Sequence, residues 1–230
     1  MEKLKEDANF ESLMYEQTEW PGEQIPLDDL NIIAHRYNRI IGLCVNSDVL
    51  EIGSGSTIGK VELANVVTSY VSVDISKKNI LRSNSLCKEL GFQQYEADAH
   101  KLPFPNNTFD TVIALAMIYY LDSKIFLREV RRVLRPGGKL FFCSSNKNVP
   151  GFVAAPGSHE YLSISEWSVL LRSEGFRTSF EGVFKKPHSL PLGVRASLIR
   201  MIKTKLDRLG LSILWSRIRT ISKGPRYTIP

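Results

Sequence analysis

"VLEIGSGSTIGK", residues 49–60, carries an apolar approach into the carboxylate Glu51. Gly53 and Gly55 follow, one residue apart, and then a stretch that can open a helix. Paired glycines let the backbone come close to a nucleotide-like ligand. The turn is not a phosphate loop of the G-x-x-x-x-G-K-[ST] kind. The residue five before Gly59 is Ser54, and Lys60 is followed by Val61. It is not a dinucleotide fingerprint either, because the third glycine would fall at position 58, which is Ile58.

Outward from this turn the chain alternates between two periodicities. "DVLEI" reads as strand and "TIGKVELANVV" as helix, then "YVSVD" as strand and "KKNILRSNSLCKEL" as helix ended by Gly91. "FQQYEAD" is a short strand. "FDTVIALAM" has the continuous apolar run of a strand buried on both faces. "DSKIFLREVRRVL" is a helix stopped by "RPGG", and "KLFFCSS" is a further buried strand. "ISEWSVLLRSEG" is a helix capped by Ser163 or Ser165, and "FRTSFEGVF" reads as a strand. Upstream, "LNIIAHRYNRIIGLC" is an amphipathic helix with Asp28 or Asp29 as its cap. The fold class expected is α/β, a doubly wound, mainly parallel sheet with a helical N-terminal and a basic helical C-terminal extension. Ligands of such sheets sit at the carboxyl ends of the strands. The candidate positions are therefore Glu51 to Gly55, Asp74, Asp98, Ala114 to Met117, and Ser144 onward.

Three of these positions are acids. Glu51, Asp74 and Asp98 each end a strand or follow one. Three carboxylates around one crevice would repel a pyrophosphate. They suit a ligand with a ribose diol, an exocyclic amine and positive charge. S-adenosylmethionine has these features, with a cationic sulfonium and no phosphate.

Here the chain resembles the class I S-adenosylmethionine-dependent methyltransferases of the type 11 group. "VLEIGSGST" resembles their first motif, "VSVDIS" the acid of the second strand, and "EADAHKLPFPNNTFDTVIALAMIYYL" the block through the fourth strand. "FLREVRRVLRPGGKLFF" and "YLSISEWSVLLRSEGF" are similar to the later helices and the fifth strand, so the likeness covers about residues 48 to 180. The resemblance implies a Rossmann-like fold with S-adenosylmethionine as cofactor and a site placed as follows. Gly53, Ser54 and Gly55 approach the methionine part, and Glu51 orients its amino group through water. Asp74 binds the ribose hydroxyls and Ile75 lies against the adenine. Asp98 meets the adenine amine, with Ala99 and His100 beside it. Ala114, Leu115 and Ala116 line the methyl-donor side. Thr57 departs from the pattern, which often has a glycine there.

The acceptor is less legible. A hydroxyl acceptor wants a base. Of four histidines, His35 lies in the N-terminal helix, His100 in the cofactor loop and His188 in a linker. His159, in "PGSHEY", is the candidate catalytic base, on a loop that can fold over the acceptor pocket. Tyr119 and Tyr120 follow the fourth strand and are candidate acceptor contacts. No Asn-Pro-Pro-Tyr-like motif follows that strand. Oxygen on a small molecule or saccharide, free or lipid-linked, is therefore the expected target. Two alternatives stay open: a nucleic-acid methyltransferase using a basic tail, and a non-catalytic cofactor-binding scaffold.

Composition sets the remaining bounds. The 230 residues carry a net charge of +6, unevenly placed. From Lys185 to Pro230 there are eleven Lys/Arg and one acid, Asp207, so the rest of the chain is net −4. A uniform basic surface for nucleic acid is not supported. In the tail, Leu198, Ile202, Leu206 and Leu209 form a stripe among Arg200, Lys203, Lys205 and Arg208. Such a stripe can pack on the domain or lie as a peripheral contact on an anionic membrane. Cys44, Cys87 and Cys143 show no metal-ligand spacing and fit buried thiols in a reducing compartment. No metal is expected. The polar, acidic start "MEKLKEDANFESLMYEQ" and a longest apolar run of ten residues, Val112 to Leu121, point to a cytoplasmic protein. The expected organisation is an N-terminal helical cover over 1–47, a cofactor-binding domain over 48–187 and a basic amphipathic extension over 188–230.

Overall fold

The computed structural model describes residues 27–55, 60–149 and 152–182. Five strands, β1 (Asp48–Ile52), β2 (Ser69–Asp74), β3 (Gln93–Glu96), β4 (Phe109–Leu115) and β5 (Leu134–Cys143), form one sheet in the order β3-β2-β1-β4-β5. All neighbouring pairs are parallel. Helices α1 (Leu27–Cys44), α2 (Lys60–Ala64), α3 (Lys77–Glu89), α4 (Ser123–Val133) and α5 (Ile164–Ser173) flank it. The chain enters at the centre, winds out to one edge through β3, then crosses back to β4 on the other side of β1. This reversal opens a crevice at the carboxyl ends of β1 and β4, where open α/β sheets hold their ligands.

Alternation along each strand sends neighbouring residues to opposite faces and builds two cores. On one face Leu50, Ile52, Val73 and Val112 pack with Phe126, Leu127 and Val130 of α4 and Trp167 and Leu171 of α5. On the other, Val49, Tyr70 and Ile113 pack with Tyr37 and Ile40 of α1 and Leu63 of α2. The two-sided burial is why "FDTVIALAM" reads as an uninterrupted apolar run. It also makes α1 part of the sheet's own core.

The helix boundaries follow from local chemistry. Ser163 caps α5: its hydroxyl accepts from the Glu166 N–H while Glu166 accepts from the Ser163 N–H at 2.7 Å. A capping box of this kind is worth about 1 kcal/mol. Asp122 caps α4, accepting from the N–H groups of Lys124 at 3.0 Å and Ile125 at 2.9 Å. Gly91, at φ +71°, lets the chain turn away from α3.

Three expectations need correction. Helix α1 begins at Leu27, so Asp28 and Asp29 stand inside its first turn, not at its cap. "RPGG" lies within the span of β5 as an irregular bulge. Phe109 pairs with Leu134 and Thr111 with Lys139, so the single residue Asp110 faces Arg135 to Gly138. The guanidinium of Arg135 pins this bulge, donating to Asp48 Oδ2 at 2.9 Å and Asp110 Oδ2 at 2.7 Å. Residues 176–182 form no strand. Phe180 is exposed, so the alternation that suggested a strand has no apolar face to bury there. The Cys44 and Cys87 thiols are buried and Cys143 is half-buried, all unpaired. The stretches 1–26 and 183–230, with Trp20, His188 and the whole basic stripe, lie outside the described residues, as does Thr57.

Candidate active site

The turn after β1 is bound to the end of β2. The N–H groups of Gly53 and Ser54 both donate to the carbonyl of Val73, at 2.8 and 3.2 Å. The Gly55 N–H donates to Asp74 Oδ2 at 2.8 Å. Gly53 sits at φ +66° and Gly55 at φ +50°, a region that favours glycine. Gly53 has a second reason to be glycine: a Cβ there would stand 2.7 Å from Met117 Cγ.

Asp74 is the hub of this corner. Its Oδ1 accepts from the Ser76 N–H at 2.8 Å and from Asn79 Nδ2 at 3.3 Å. It is 3% exposed. Burial pushes its carboxyl up, against the pull of the Ser76 and Gly55 N–H groups, the Asn79 amide and the Lys60 charge. The side chain lines a pocket together with Gly53, Ile75, Asp98, Met117 and Leu121.

Asp98 and His100 line the same pocket. Asp98 Oδ1 accepts from the His100 N–H at 2.8 Å and lies 2.9 Å from His100 Nδ1. The bond from the His100 ring holds the Asp98 carboxyl below its ordinary range despite partial burial. On its other side, His100 Nε2 accepts from the Asp122 N–H at 3.0 Å. The ring therefore carries its proton on Nδ1 and ties the loop after β3 to the start of α4. Both nitrogens are engaged, so His100 is a strap.

The remaining wall comes from the loop after β5. The N–H groups of His159 and Glu160 donate to the Tyr119 carbonyl at 2.8 and 3.1 Å, and Glu160 Oε1 accepts from the Ser123 N–H at 3.1 Å. Tyr161 stacks on Tyr119 with ring centroids 4.7 Å apart, and Phe152 meets Tyr161 edge-on. This aromatic cluster carries Pro156 and Gly157 to the pocket beside Tyr120.

The structure thus gathers Gly53, Asp74, Ile75, Asp98, Ala99, His100 and Tyr120 around one pocket. Other expected residues stand elsewhere. Glu51 is 2% exposed and its carboxylate is claimed from within, by Tyr37 Oη at 2.6 Å and by Tyr70 Oη. Ala114 is sealed in the sheet between Ile52 and Phe142, and Leu115 packs toward α1. Ala116 turns the chain at φ +57°, and the next residue, Met117, reaches the pocket. Tyr119 is buried in the aromatic cluster. His159 lies outside the pocket, in a second cleft with Asp122, Lys124 and Glu166. Its backbone, not its ring, is what the loop uses. Met117, a strand-end candidate given no role by the sequence, lines the pocket with Leu121, Pro156 and Gly157, which the sequence did not single out. Their only signal was position after a strand end.

These groups fit an adenosyl ligand. An ionised carboxylate at the end of β2 can accept hydroxyl protons. A second carboxylate after β3, an apolar wall and a glycine cradle that a Cβ would fill complete the match. Fold and site together define a Rossmann-like adenosyl-binding domain. Residues 50–142 match the family described as a methyltransferase domain, type 11. Over this segment the chain matches the class I S-adenosylmethionine-dependent methyltransferases of this family. A demethylmenaquinone methyltransferase of Corynebacterium urealyticum is 34% identical over 129 residues, 55% of this chain and 54% of that protein. A ubiquinone biosynthesis O-methyltransferase of Aeromonas salmonicida is 28% identical over 167 residues, 69% of each. A solved S-adenosylmethionine-dependent methyltransferase of Aquifex aeolicus superposes with a TM-score of 0.52 at 18% identity, over 68% of this chain and 92% of that one. At that identity the likeness speaks for the fold alone. The chain spans about half the length of the demethylmenaquinone methyltransferases it matches.

Proposed function

We infer that the protein transfers the methyl group of S-adenosylmethionine to a small apolar ring compound of the quinone class. The observation that carries this reading is the pocket at the ends of β1, β2 and β4. It is acidic where an adenosyl ligand needs acceptors, and apolar at Met117, Leu121 and Pro156, where an acceptor would enter. When bound, S-adenosylmethionine supplies an electrophilic methyl group. Methyl transfer is an in-line displacement, and holding the partners at attack distance is the larger part of the task. Asp74 accepts the ribose hydroxyls, while Ile75 and Leu121 exclude water from the adenine. Tyr120 and Pro156 hold the acceptor ring against the methyl donor.

Apolar walls favour a ring compound over a saccharide, whose hydroxyls each need a polar partner. The quinone-directed names of the relatives point the same way. Transfer to an acceptor oxygen additionally requires loss of a proton. A cytoplasmic protein acting on such an acceptor would meet it at a lipid surface, and the basic stripe of residues 188–230 suits a peripheral contact there.

The test is incubation of the full chain with methyl-labelled S-adenosylmethionine and, separately, a reduced demethylated quinone, an oligosaccharide mixture and RNA. Label in the solvent-extracted quinone supports the reading. Label only in the saccharide or RNA sample overturns the acceptor class.

A further inference from the structure

Ile125, Val149, Val153, Ile164 and Val169 are each at least 44% exposed. They belong to three segments: the start of α4, the loop after β5, and α5. Val169, at 71%, is the most exposed large apolar side chain among the described residues. The three segments adjoin. Lys147 Nζ lies 2.5 Å from Glu166 Oε2, which ties the loop after β5 to the first turn of α5. Arg128 Nε donates to Glu174 Oε2 at 3.3 Å and Arg131 Nη1 to the Glu174 carbonyl at 2.6 Å, which ties α4 to the end of α5. Lys124 of α4 and Val169 and Leu170 of α5 line one cleft. Apolar side chains left in water on adjoining segments mark a surface to be covered.

Charge selects the partner. The four acids along this face are all committed. Asp122 caps α4, and Glu160 accepts from the Ser123 N–H. Glu166 is held by Lys147 and the Ser163 N–H, and Glu174 by Arg128. Lys124 and Arg172 are exposed and pair with no acid among the described residues. The face is thus apolar with positive charge to spare, the combination that holds a protein at an anionic lipid surface. A second copy would set the same surplus against itself. The face also borders the pocket. Leu121 and Pro156 line the pocket, and they lie on the same two stretches of chain as Ile125 and Val153.

We propose that the start of α4, the loop after β5 and the outer side of α5 form a docking face for an anionic lipid surface, so that the pocket is presented to an acceptor dissolved in the bilayer. This rests on the apolar-acceptor reading above.

The experiment is co-sedimentation of the full chain with vesicles of phosphatidylcholine alone and of phosphatidylcholine mixed with phosphatidylglycerol. The unmodified protein should bind the anionic vesicles, and bind them less as salt screens the charges. Lys124→Glu combined with Arg172→Glu should lower the partition constant about tenfold or more. Val153→Ser combined with Val169→Ser should lower it about threefold or more. All four side chains are exposed, and the basic tail is intact in every variant. Binding that neither pair of substitutions weakens overturns the proposal, since the tail would then make the contact alone. Equal binding to both kinds of vesicle, or none to either, overturns it too. So does loss of RNA binding or of a dimer in these variants while vesicle binding stays unchanged. The acceptor reading has a separate readout, methylation of a short-chain, water-soluble reduced quinone without vesicles. Both pairs of substitutions should leave that rate within about twofold. Its absence in the unmodified protein refutes the acceptor reading and not the docking face.

Discussion

Gly53 and Met117 meet across the crevice between β1 and β4 so closely that no side chain can be added to the glycine: a Cβ would lie 2.7 Å from Met117 Cγ. The backbone there also sits at φ +66°. Gly53→Ala is therefore expected to cost about 1–2 kcal/mol from the left-handed backbone, before any displacement of Met117. Urea unfolding measures the loss. Combining it with Met117→Ala should recover only part of the steric cost, because the Met117 Cβ, which alanine keeps, would stand 3.0 Å from the new Cβ.

His100 bridges Asp98 to the N–H of Asp122. His100→Ala should destabilise the fold by about 1–2 kcal/mol, because it leaves a part-buried N–H at the start of α4 without its acceptor. The same unfolding experiment reads it. His100→Asn, with a shorter acceptor, should recover little.

His159 projects into the cleft beside the pocket, not into the pocket. His159→Ala should leave turnover within a few-fold, against the roughly hundredfold or greater loss that follows removal of a general base. A hundredfold loss would show that the loop reverses on acceptor binding.

Burial raises the Asp74 carboxyl above its ordinary value. Only the ionised form accepts hydroxyl protons with both oxygens. Cofactor affinity should therefore be full at neutral pH and fall as pH drops through that raised value, beginning above the usual carboxylate midpoint of about 3.9. The sign for folding is the reverse: a raised carboxyl weakens the fold where it is ionised and relieves that cost as it protonates. Affinity of S-adenosylhomocysteine, titrated by calorimetry across acid pH, is the measurement. Asp74→Asn should lie low throughout, with no such decline.

Glu51 is a buried carboxylate held by two tyrosine hydroxyls with Lys60 as its counter-charge. Glu51→Leu strands the two hydroxyls and leaves Lys60 with Asp74 alone, so a loss of about 3–5 kcal/mol is expected. Tyr70→Phe should cost only about 1–2 kcal/mol. Thermal or urea unfolding of both variants separates these values.

Much of this arrangement was legible in the chain. Strand and helix alternated visibly because each element carries its own period, and two-sided burial gave "FDTVIALAM" its unbroken apolar run. Asp74, Ile75, Asp98 and Ala99 could be placed because strand ends in this topology converge on one crevice. What stayed hidden depended on distance between segments far apart in sequence. Nothing in "VLEIG" announces that Glu51 will be claimed by tyrosines 14 residues before it and 19 after it. Ala114 to Ala116 were expected at the site by position, but the left-handed turn at Ala116 hands the pocket to Met117. His159 looked like a base because a histidine in a loop suggests one. Hydrogen bonding of its backbone to Tyr119 is what decides where the ring goes.

The central claim is that this crevice binds S-adenosylmethionine through Asp74. Calorimetric titration of the full chain and of Asp74→Ala with S-adenosylmethionine tests it most directly. The account predicts clear binding by the unmodified protein and a loss of at least about tenfold in the variant, from removal of a charged hydrogen-bond acceptor. Equal affinity in the two proteins would contradict it.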